Sequence, residues 1–472
     1  MTGLPKGWVS ATVDELSAPR GVTDGPFGSN LKTQHYTAAG PRVVRLQNIG
    51  DGRFVDERAH IDEAHFERLT KHEVVDGDVL VASLGELLPR ACLAPESLGP
   101  AIVKADCIRV RPHSELSGTY LMWALNSPDV RASVGSSIKG VGRPRINLGD
   151  LRRLQIPVAP TAEQERIVTA IEEAFSKLDA GEAGLRTVRQ LLKRMRDAIL
   201  TAAVTGRLVP QDPTDTPAAK LLADLGAEPV EGADLPSGWA LARAVDLLAE
   251  PLANGRSVRS QTGGFPVLRL TCLKEGTIDR RETKEGEWTA EDAAPYLVRA
   301  GDFLISRGNG SLALVGRGGL VVDDGPPVAY PDTLIRMRLA APALEPRLLA
   351  IWWNSAVVRR QLEGATRTTA GIYKVNQSMI ESVMLPIPAW EEQARLVSEV
   401  ERQISFVDAC GRAVDVGLAR SAGLRRSVLK AAFEGRLVSQ DPSDEPASVL
   451  LDRIRAERSA QPVAKRRARQ TA

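Results

Sequence analysis

From residue 167 onward, apolar or small residues fall at 167, 171, 174, 178, 181, 185, 188, 192, 195 and 199, in alternating steps of four and three. That spacing keeps one stripe of a helix apolar and is the a/d seam of a coiled coil. Pro157 to Pro160 stop whatever precedes it, and Thr161-Ala-Glu-Gln164 has the form of a capping box with Thr161 as N-cap. Gly206 stands where a left-handed residue would end the helix. The pattern predicts a helix over 162–205, a rod of about 66 Å at 1.5 Å per residue. A rougher seam predicts a second helix over 391–434. Leu396, Val400, Val407, Cys410, Val414, Leu424 and Val428 fit it, whereas Gln403, Gly417 and Ser421 do not. Its interior glycines, Gly411, Gly417 and Gly423, each cost roughly 1 kcal/mol of helix stability. Neither helix should stand alone in water. An antiparallel pair within the chain is one solution, and two unrelated helices that each cap their own domain is another.

The two seams belong to a longer duplication. Gly206-Arg-Leu-Val-Pro-Gln-Asp-Pro213 returns as Gly435-Arg-Leu-Val-Ser-Gln-Asp-Pro442, an offset of 229. At that offset Asn147, Pro157, Glu163, Gln164, Arg166 and Asp179 match Asn376, Pro386, Glu392, Gln393, Arg395 and Asp408. The flanking parts repeat more faintly, with offsets between 224 and 231: Leu4-Pro-Lys-Gly-Trp8 and Leu235-Pro-Ser-Gly-Trp239, Gly77-Asp-Val-Leu80 and Gly301-Asp-Phe-Leu304, Asn126-Ser127 and Asn354-Ser355. Drift of this kind marks surface loops that gain or lose residues. The chain therefore reads as a globular domain over 1–155, a helical region over 156–228, a second domain over 229–385, a second helical region over 386–460 and a basic tail over 461–472. That tail, with Lys465-Arg-Arg-Ala-Arg469, is expected to be disordered.

Each globular segment carries short β patterns: Val43–Leu46, Val79–Ala82 and Ile108–Val110 in the first, Val267–Leu270, Phe303–Ser306 and Leu334–Leu339 in the second. Each adds one helix near its end, Thr119–Leu125 and Pro346–Trp353, so the fold class is α+β. Loops between the strands carry the candidate chemistry. In the first domain these are the turn Asp24-Gly-Pro-Phe-Gly-Ser-Asn-Leu-Lys32 and the run Lys139-Gly-Val-Gly-Arg-Pro-Arg145. The second offers Asn254-Gly-Arg-Ser-Val-Arg259, Arg307-Gly-Asn-Gly310 and Arg367-Thr-Thr-Ala-Gly-Ile-Tyr-Lys374. Arginine can bridge guanine O6 and N7, asparagine or glutamine can bridge adenine N6 and N7, and lysine, serine and threonine serve phosphates. The candidate DNA-binding residues are thus Ser29, Asn30, Lys32, Arg45, Gln47, Asn48, Lys139, Arg143 and Arg145, then Asn254, Arg256, Arg259, Arg269, Arg307, Asn309, Arg367, Thr368, Thr369 and Lys374. Each could equally be a solvated loop charge.

Composition narrows the classes without choosing among them. With 61 basic and 59 acidic residues the net charge is +2, too balanced to demand a polyanion. Aromatic content of 4% argues against stacking platforms for single strands. No apolar run suits a membrane span, no secretory leader is visible, and Cys92, Cys107, Cys272 and Cys410 lack C-x-x-C spacing, so a reducing cytoplasm is expected. Gly308-x-Gly310-x-x-Ala313 formally matches a dinucleotide fingerprint, but no helix is expected after it. His60, His65, His72 and Cys92 fit no usual zinc spacing, and the second copy has no histidine. No nucleophile motif and no phosphate-cradling G-x-x-x-x-G-K-[ST] occurs, so neither catalysis nor a metal site is expected.

The order domain, P-x-x-x-E-Q-x-R-I helix, G-R-L-x-x-Q-D-P, then the same again, resembles the specificity subunits of type I restriction-modification systems. The resemblance covers nearly the whole chain and is firmest at Pro157–Arg166, Pro386–Arg395 and the two Gly-Arg-Leu-Val runs. The second copy departs from it with Trp390 before its glutamates and Ala394-Arg-Leu in place of Glu165-Arg-Ile. The resemblance implies two target-recognition domains, each reading half of a bipartite asymmetric site in double-stranded DNA, with an antiparallel coiled coil setting the spacer. It also implies that Gln164, Arg166, Gly206, Arg207, Gln393, Arg395, Gly435 and Arg436 face two methyltransferase subunits, which a restriction motor subunit joins. This chain would bind no cofactor, and S-adenosylmethionine, ATP and Mg2+ would sit on the partners. The competing class is a duplicated scaffold that binds proteins through its coils and reads no DNA.

Overall fold

In the computed structural model, which describes residues 3–134, 144–231, 234–341, 344–365, 367–369 and 372–460, the long helices run Thr161–Val204 and Trp390–Phe433. Each is one residue nearer the N-terminus than the sequence pattern places it, so Thr161 opens the helix instead of capping it. Both end on a left-handed glycine, Gly206 at φ 66° and Gly435 at φ 67°. Past each glycine the chain folds back: Arg207 N–H donates to Ala202 O and Arg436 N–H to Ala431 O, both at 2.8 Å. Orphan carbonyls of the last turn are satisfied this way, which only a residue without a side-chain penalty at positive φ allows cheaply.

The chain divides into two units, residues 1–185 with 416–472 and residues 186–415. The first unit is α+β, built on a four-stranded antiparallel sheet in the order Ser17–Asp24, Cys107–Pro112, Val79–Ala82, Arg90–Leu93. All four residues of Val79–Ala82 are buried. The two-residue alternation of the strand divides them between two cores. Val79 and Val81 face the helix Gly118–Asn126, while Leu80 and Ala82 face Val44, Ile49, Cys92 and Val103. A second sheet, ordered His60–Ile61, Tyr36–Val44, Ala101–Val103, Glu73–Val74, lies beyond, with its two middle strands parallel. Val9–Thr12 pairs antiparallel with Gln155–Val158, fixing the root of the first long helix.

The end of the second long helix completes this unit. Leu429, Phe433, Ala447, Leu450, Leu451 and Ile454 join the same core as Trp8 and Tyr120, and Ala447 N–H donates to Gly7 O at 2.9 Å. The last four of those residues run from the start to the middle of the helix Ala447–Ala460. The second unit repeats the scheme. Its six-stranded sheet runs Ala253–Asn254, Leu334–Met337, Phe303–Ser306, Gly318–Leu320, Thr277–Ile278, Leu273–Lys274. Ala203, Val204, Ala218 and Leu222, from the end of the first long helix and beyond, pack with Trp239 and Trp352, and Ala218 N–H donates to Gly238 O at 2.8 Å. The packing units therefore divide the chain otherwise than the written repeat. Residues 206–228 belong with the second domain and residues 435–460 with the first.

Within each unit the two long helices run antiparallel, but their seam departs from the sequence pattern. Gly417 and Ser421, the apparent breaks, sit inside it. A Cβ on Gly417 would come 3.0 Å from Leu185 Cδ1, so Leu185 fills the space that Gly417 leaves. Ser421 Oγ donates to Glu182 Oε1 at 2.8 Å, and Arg425 donates to Glu182 at 3.2 Å and Asp179 at 2.6 Å. In the second unit Arg196 donates to Asp408 at 2.6 Å, and Arg189 pairs with Asp415. By contrast Leu424, Val188 and Met195, assigned to the apolar seam, are each about two-fifths exposed. The middle of the pair is held by charged hydrogen bonds, because a carboxylate such as Glu182 is costly to bury without a partner.

Candidate nucleic-acid interface

In the first unit the turn after the strand Ser17–Asp24 is pinned at its base. Gly25 N–H donates to Cys107 O at 3.1 Å, and a Cβ on Gly25 would stand 2.1 Å from the Lys104 carbonyl carbon. Only glycine lets the two backbones approach so closely. His72 Nδ1 donates to Asp24 O at 2.5 Å, and burial holds its pKa below the usual histidine value, against the opposing pull of that hydrogen bond. The turn then carries Phe27 outward, 47% exposed. Arg145 lies over the Phe27 ring, 5.6 Å from its centroid, and pairs with Asp106 at 2.5 Å. Gly85 N–H donates to Pro144 O at 3.2 Å and Ile146 N–H to Ser83 O at 3.0 Å, so the loops at 25–32, 83–85, 104–106 and 144–146 converge. The structure thus joins the two loops that the sequence singled out.

The other first-domain candidates part company. Asn30 and Lys32 are exposed on this turn, with Asn30 O accepting from His65 Nε2 at 2.8 Å and Lys32 N–H donating to His35 Nδ1 at 3.1 Å. Ser29 lies in the short 3-10 turn Gly28–Asn30, and its side chain is outside the described residues, as are Lys139 and Arg143. Asn48 is a correction. It is buried, its Oδ1 accepts from Arg45 N–H at 2.8 Å, and its Nδ2 donates to Val55 O and Glu57 O at 2.8 and 2.7 Å. Every polar atom of that amide closes the 45–57 loop, so none is left for a base. Gln47 Nε2 donates to Glu57 at 3.0 Å, and Arg45 lies 3.9 Å from the same carboxylate.

The second unit carries a turn built on the same contact. After Ala253–Asn254, Gly255 presses against the Pro331 carbonyl, where a Cβ would stand 2.1 Å from the oxygen. Asn254, Arg256 and Arg259 are exposed around it, and Lys284 Nζ donates to Val258 O at 2.7 Å to hold the turn. Gly308–Asn309 pairs with Ile372–Lys374, which pairs in turn with Arg367–Thr369, so the last two candidate loops form one three-stranded sheet. Arg307 and Lys374 are exposed there, while the side chains of Arg367, Thr368 and Thr369 lie outside the described residues. Arg269 Nε donates to Thr283 O at 2.9 Å and is otherwise exposed. Asn309 is half-buried, its Oδ1 accepting from Ser311 N–H at 3.0 Å. After the Gly308 motif come turns and the strand Gly318–Leu320 instead of a helix, which is not the setting of a dinucleotide site.

The residues assigned to partner docking are mostly spent inside the chain. Gln164 and Gln393 are buried, donating to Ala159 O at 2.8 Å and Pro388 O at 3.3 Å. Arg166 pairs with Asp444 at 2.6 Å, and Arg395 pairs with Asp215. A Cβ on Gly206 would meet Pro236 Cγ at 2.4 Å, and one on Gly435 would meet Pro5 Cγ at 2.4 Å. Arg207 and Arg436 are exposed, the latter paired with Glu434. The sequence also left out the centre of each joint. Trp8 Nε1 donates to Glu163 at 3.0 Å, and Trp239 Nε1 to Glu392 at 2.9 Å. Burial pushes both glutamates above the ordinary carboxylate pKa, with the indole hydrogen bonds opposing it. The pairing of Trp8 with Trp239 at matched distances from the two glutamates was the signal available for it.

No family model matches the chain. Over 479 residues it is 27% identical to the type I restriction enzyme EcoKI specificity subunit of Escherichia coli strain K12, across 97% of each chain. It is 26% identical over 477 residues to the StySPI specificity subunit of Salmonella potsdam, across 97% of this chain and 96% of the relative. Its fold superposes on a chain from a structure addressing complex assembly and conformational transition of a type I R-M system. There the TM-score is 0.67 at 20% identity, covering 92% of this chain and all of the other. Similar along nearly its whole length to specificity subunits of type I restriction enzymes, and alike in fold to a chain of such a system, the chain is an HsdS-like protein.

Proposed function

We propose that this chain supplies DNA sequence specificity to a type I restriction-modification complex and performs no catalysis itself. One observation carries the reading. The two units present turns built on the same glycine-to-carbonyl contact, at Gly25 and Gly255, yet dress them differently, with Phe27 and Arg145 in one and Arg256 and Arg259 in the other. Two readers of one construction with unlike side chains suit two unlike half-sites. Their joints, Trp8–Glu163 with Arg166–Asp444 and Trp239–Glu392 with Arg395–Asp215, are by contrast alike, so the two helical regions share one internal build, which suits two copies of one partner.

In this reading each domain contacts one half of a bipartite target in double-stranded DNA. The antiparallel long helices set the spacer, since half-site readers must be separated by near-whole turns of the duplex, about 34–36 Å or a multiple. The helical regions dock two methyltransferase subunits through their exposed faces, Arg207 and Arg436 included, and a motor-nuclease subunit joins for restriction. S-adenosylmethionine, ATP and Mg2+ reside on those partners, and the complex works in the cytoplasm. The test is to express the chain with its cognate methyltransferase and sequence methylated adenine genome-wide. A two-part asymmetric motif with an unspecified gap is expected, and exchanging residues 1–155 for those of a relative should rewrite one half only. A continuous motif, or a change in both halves, overturns the half-site reading; absence of salt-dependent DNA binding by the assembled complex overturns DNA recognition.

A further inference from the structure

The second unit contains a cavity of about 780 Å³ between the domain and its long helices. Its apolar walls include Leu270, Leu320, Ile351, Val400 and Ile404, and Arg196 stands at one side. A space of that size with mostly apolar walls and a few polar groups falls within the range of small-molecule sites, roughly 300–1,000 Å³.

The first unit shows what the same place is shaped to hold. At the offset of 228 set by Asn126 and Asn354, Trp123 corresponds to Ile351, and at 229 Phe175 corresponds to Ile404. Trp123 and Phe175 meet edge to face, 5.0 Å between centroids. Arg425 lies over Phe175 at 5.0 Å, and the Trp123 ring abuts Gly52, where a Cβ would come within 2.2 Å of it. Two of these neighbours recur in the second unit. Gly276 replaces Gly52, again at positive φ (92° against 74°), and Arg196 replaces Arg425, with Asp408 where Arg425 has Asp179 and with Glu275 at 3.1 Å, while Gly411 stands in the place of Glu182. The two rings do not recur. Two isoleucines stand in their place and leave the space open beside Arg196.

We propose that this cavity binds a small planar aromatic molecule. Its ring occupies the place of Trp123 and Phe175, beside Arg196. The site shares Asn309 with the candidate DNA interface, and no bond is made or broken in it.

Indole is the probe, titrated into the full chain by calorimetry and by ligand-observed NMR. The wild-type chain is expected to bind one equivalent. The double variant Ile351→Trp with Ile404→Phe, which copies the first unit, should abolish binding while melting no lower than wild type. Should that variant fail to fold, Ile404→Phe alone serves instead. It refills part of the space and should weaken indole roughly tenfold or more by steric overlap. Absence of indole binding, or binding untouched by both variants, overturns the proposal. So does a third result, in which indole fails but the filled variant loses affinity for the methyltransferase subunit, for then the space receives a partner's side chain.

Discussion

Gly435→Ala is the perturbation whose consequence the structure sets most sharply. The residue ends the second long helix at φ 67°, and an added Cβ would meet Pro5 Cγ at 2.4 Å and Pro5 Cβ at 3.0 Å. Alanine in the left-handed region costs about 1 kcal/mol. Displacing a proline ring that belongs to the packed N-terminal segment costs about 1–3 kcal/mol more. The sum, about 2–4 kcal/mol, falls on the joint between the second helix and the first domain. The same substitution elsewhere should have the opposite sign. Gly181 and Gly184 lie inside the first helix with nothing within 4 Å of an added Cβ and without positive φ, so alanine should stabilise by about 0.5–1 kcal/mol each. Gly417→Ala should lie near zero, since the 3.0 Å neighbour is the far end of the Leu185 side chain, which can turn aside. Urea denaturation of the full chain, with hydrogen exchange over residues 447–460, reads the difference. For Gly435→Ala the protection of that helix should drop and its transition move to lower urea by about 1 M, taking a slope of about 2–3 kcal/mol per M. Equal protection in Gly435→Ala and wild type, or a loss of stability in Gly181→Ala, would refute the reasoning.

Further outcomes follow from the same geometry. Glu163 and Glu392 have raised pKa values in the folded chain, so the native state binds more protons than the unfolded one just above the ordinary carboxylate range. Their contribution therefore falls as pH rises through that window, and Glu163→Gln should flatten the pH dependence of the first unit's melting temperature. Arg145→Ala should weaken specific DNA binding about tenfold or more and relax one half-site only, as expected for an arginine fork on a base; uniform weakening across sequences would mark it as a phosphate contact. Cys92, Cys107 and Cys272 are buried, with desolvation pushing each thiol up to about 12, whereas Cys410 is half-exposed. A thiol reagent at neutral pH should label Cys410 first, and mass spectrometry of the native chain checks this.

Much of the architecture was legible because it rests on short-range rules. The four-three spacing, the proline stop before Thr161 and the glycines at 206 and 435 place both helices to within a residue, since helix ends are set by local hydrogen bonding. The loops that carry candidate chemistry were legible as loops for the same reason. Their members were not. Asn48 and Arg145 look alike as polar loop residues, and only the fold spends the first on Val55 and Glu57 and offers the second over Phe27.

By itself, the sequence determined that the protein is a duplication, that each copy is an α+β domain leading into one long helix, and where those helices stop. Tertiary structure decided which parts pack together: residues 435–460 with the first domain, residues 206–228 with the second, Gly417 and Ser421 inside the seam and Leu424 outside it. The physical reason is that periodicity names an apolar face without naming its mate. Gly-Arg-Leu-Val is the same surface in both copies. The choice of seat therefore falls to long-range contacts such as Gly435 against Pro5, Arg166 on Asp444 and Arg395 on Asp215, which no local pattern encodes.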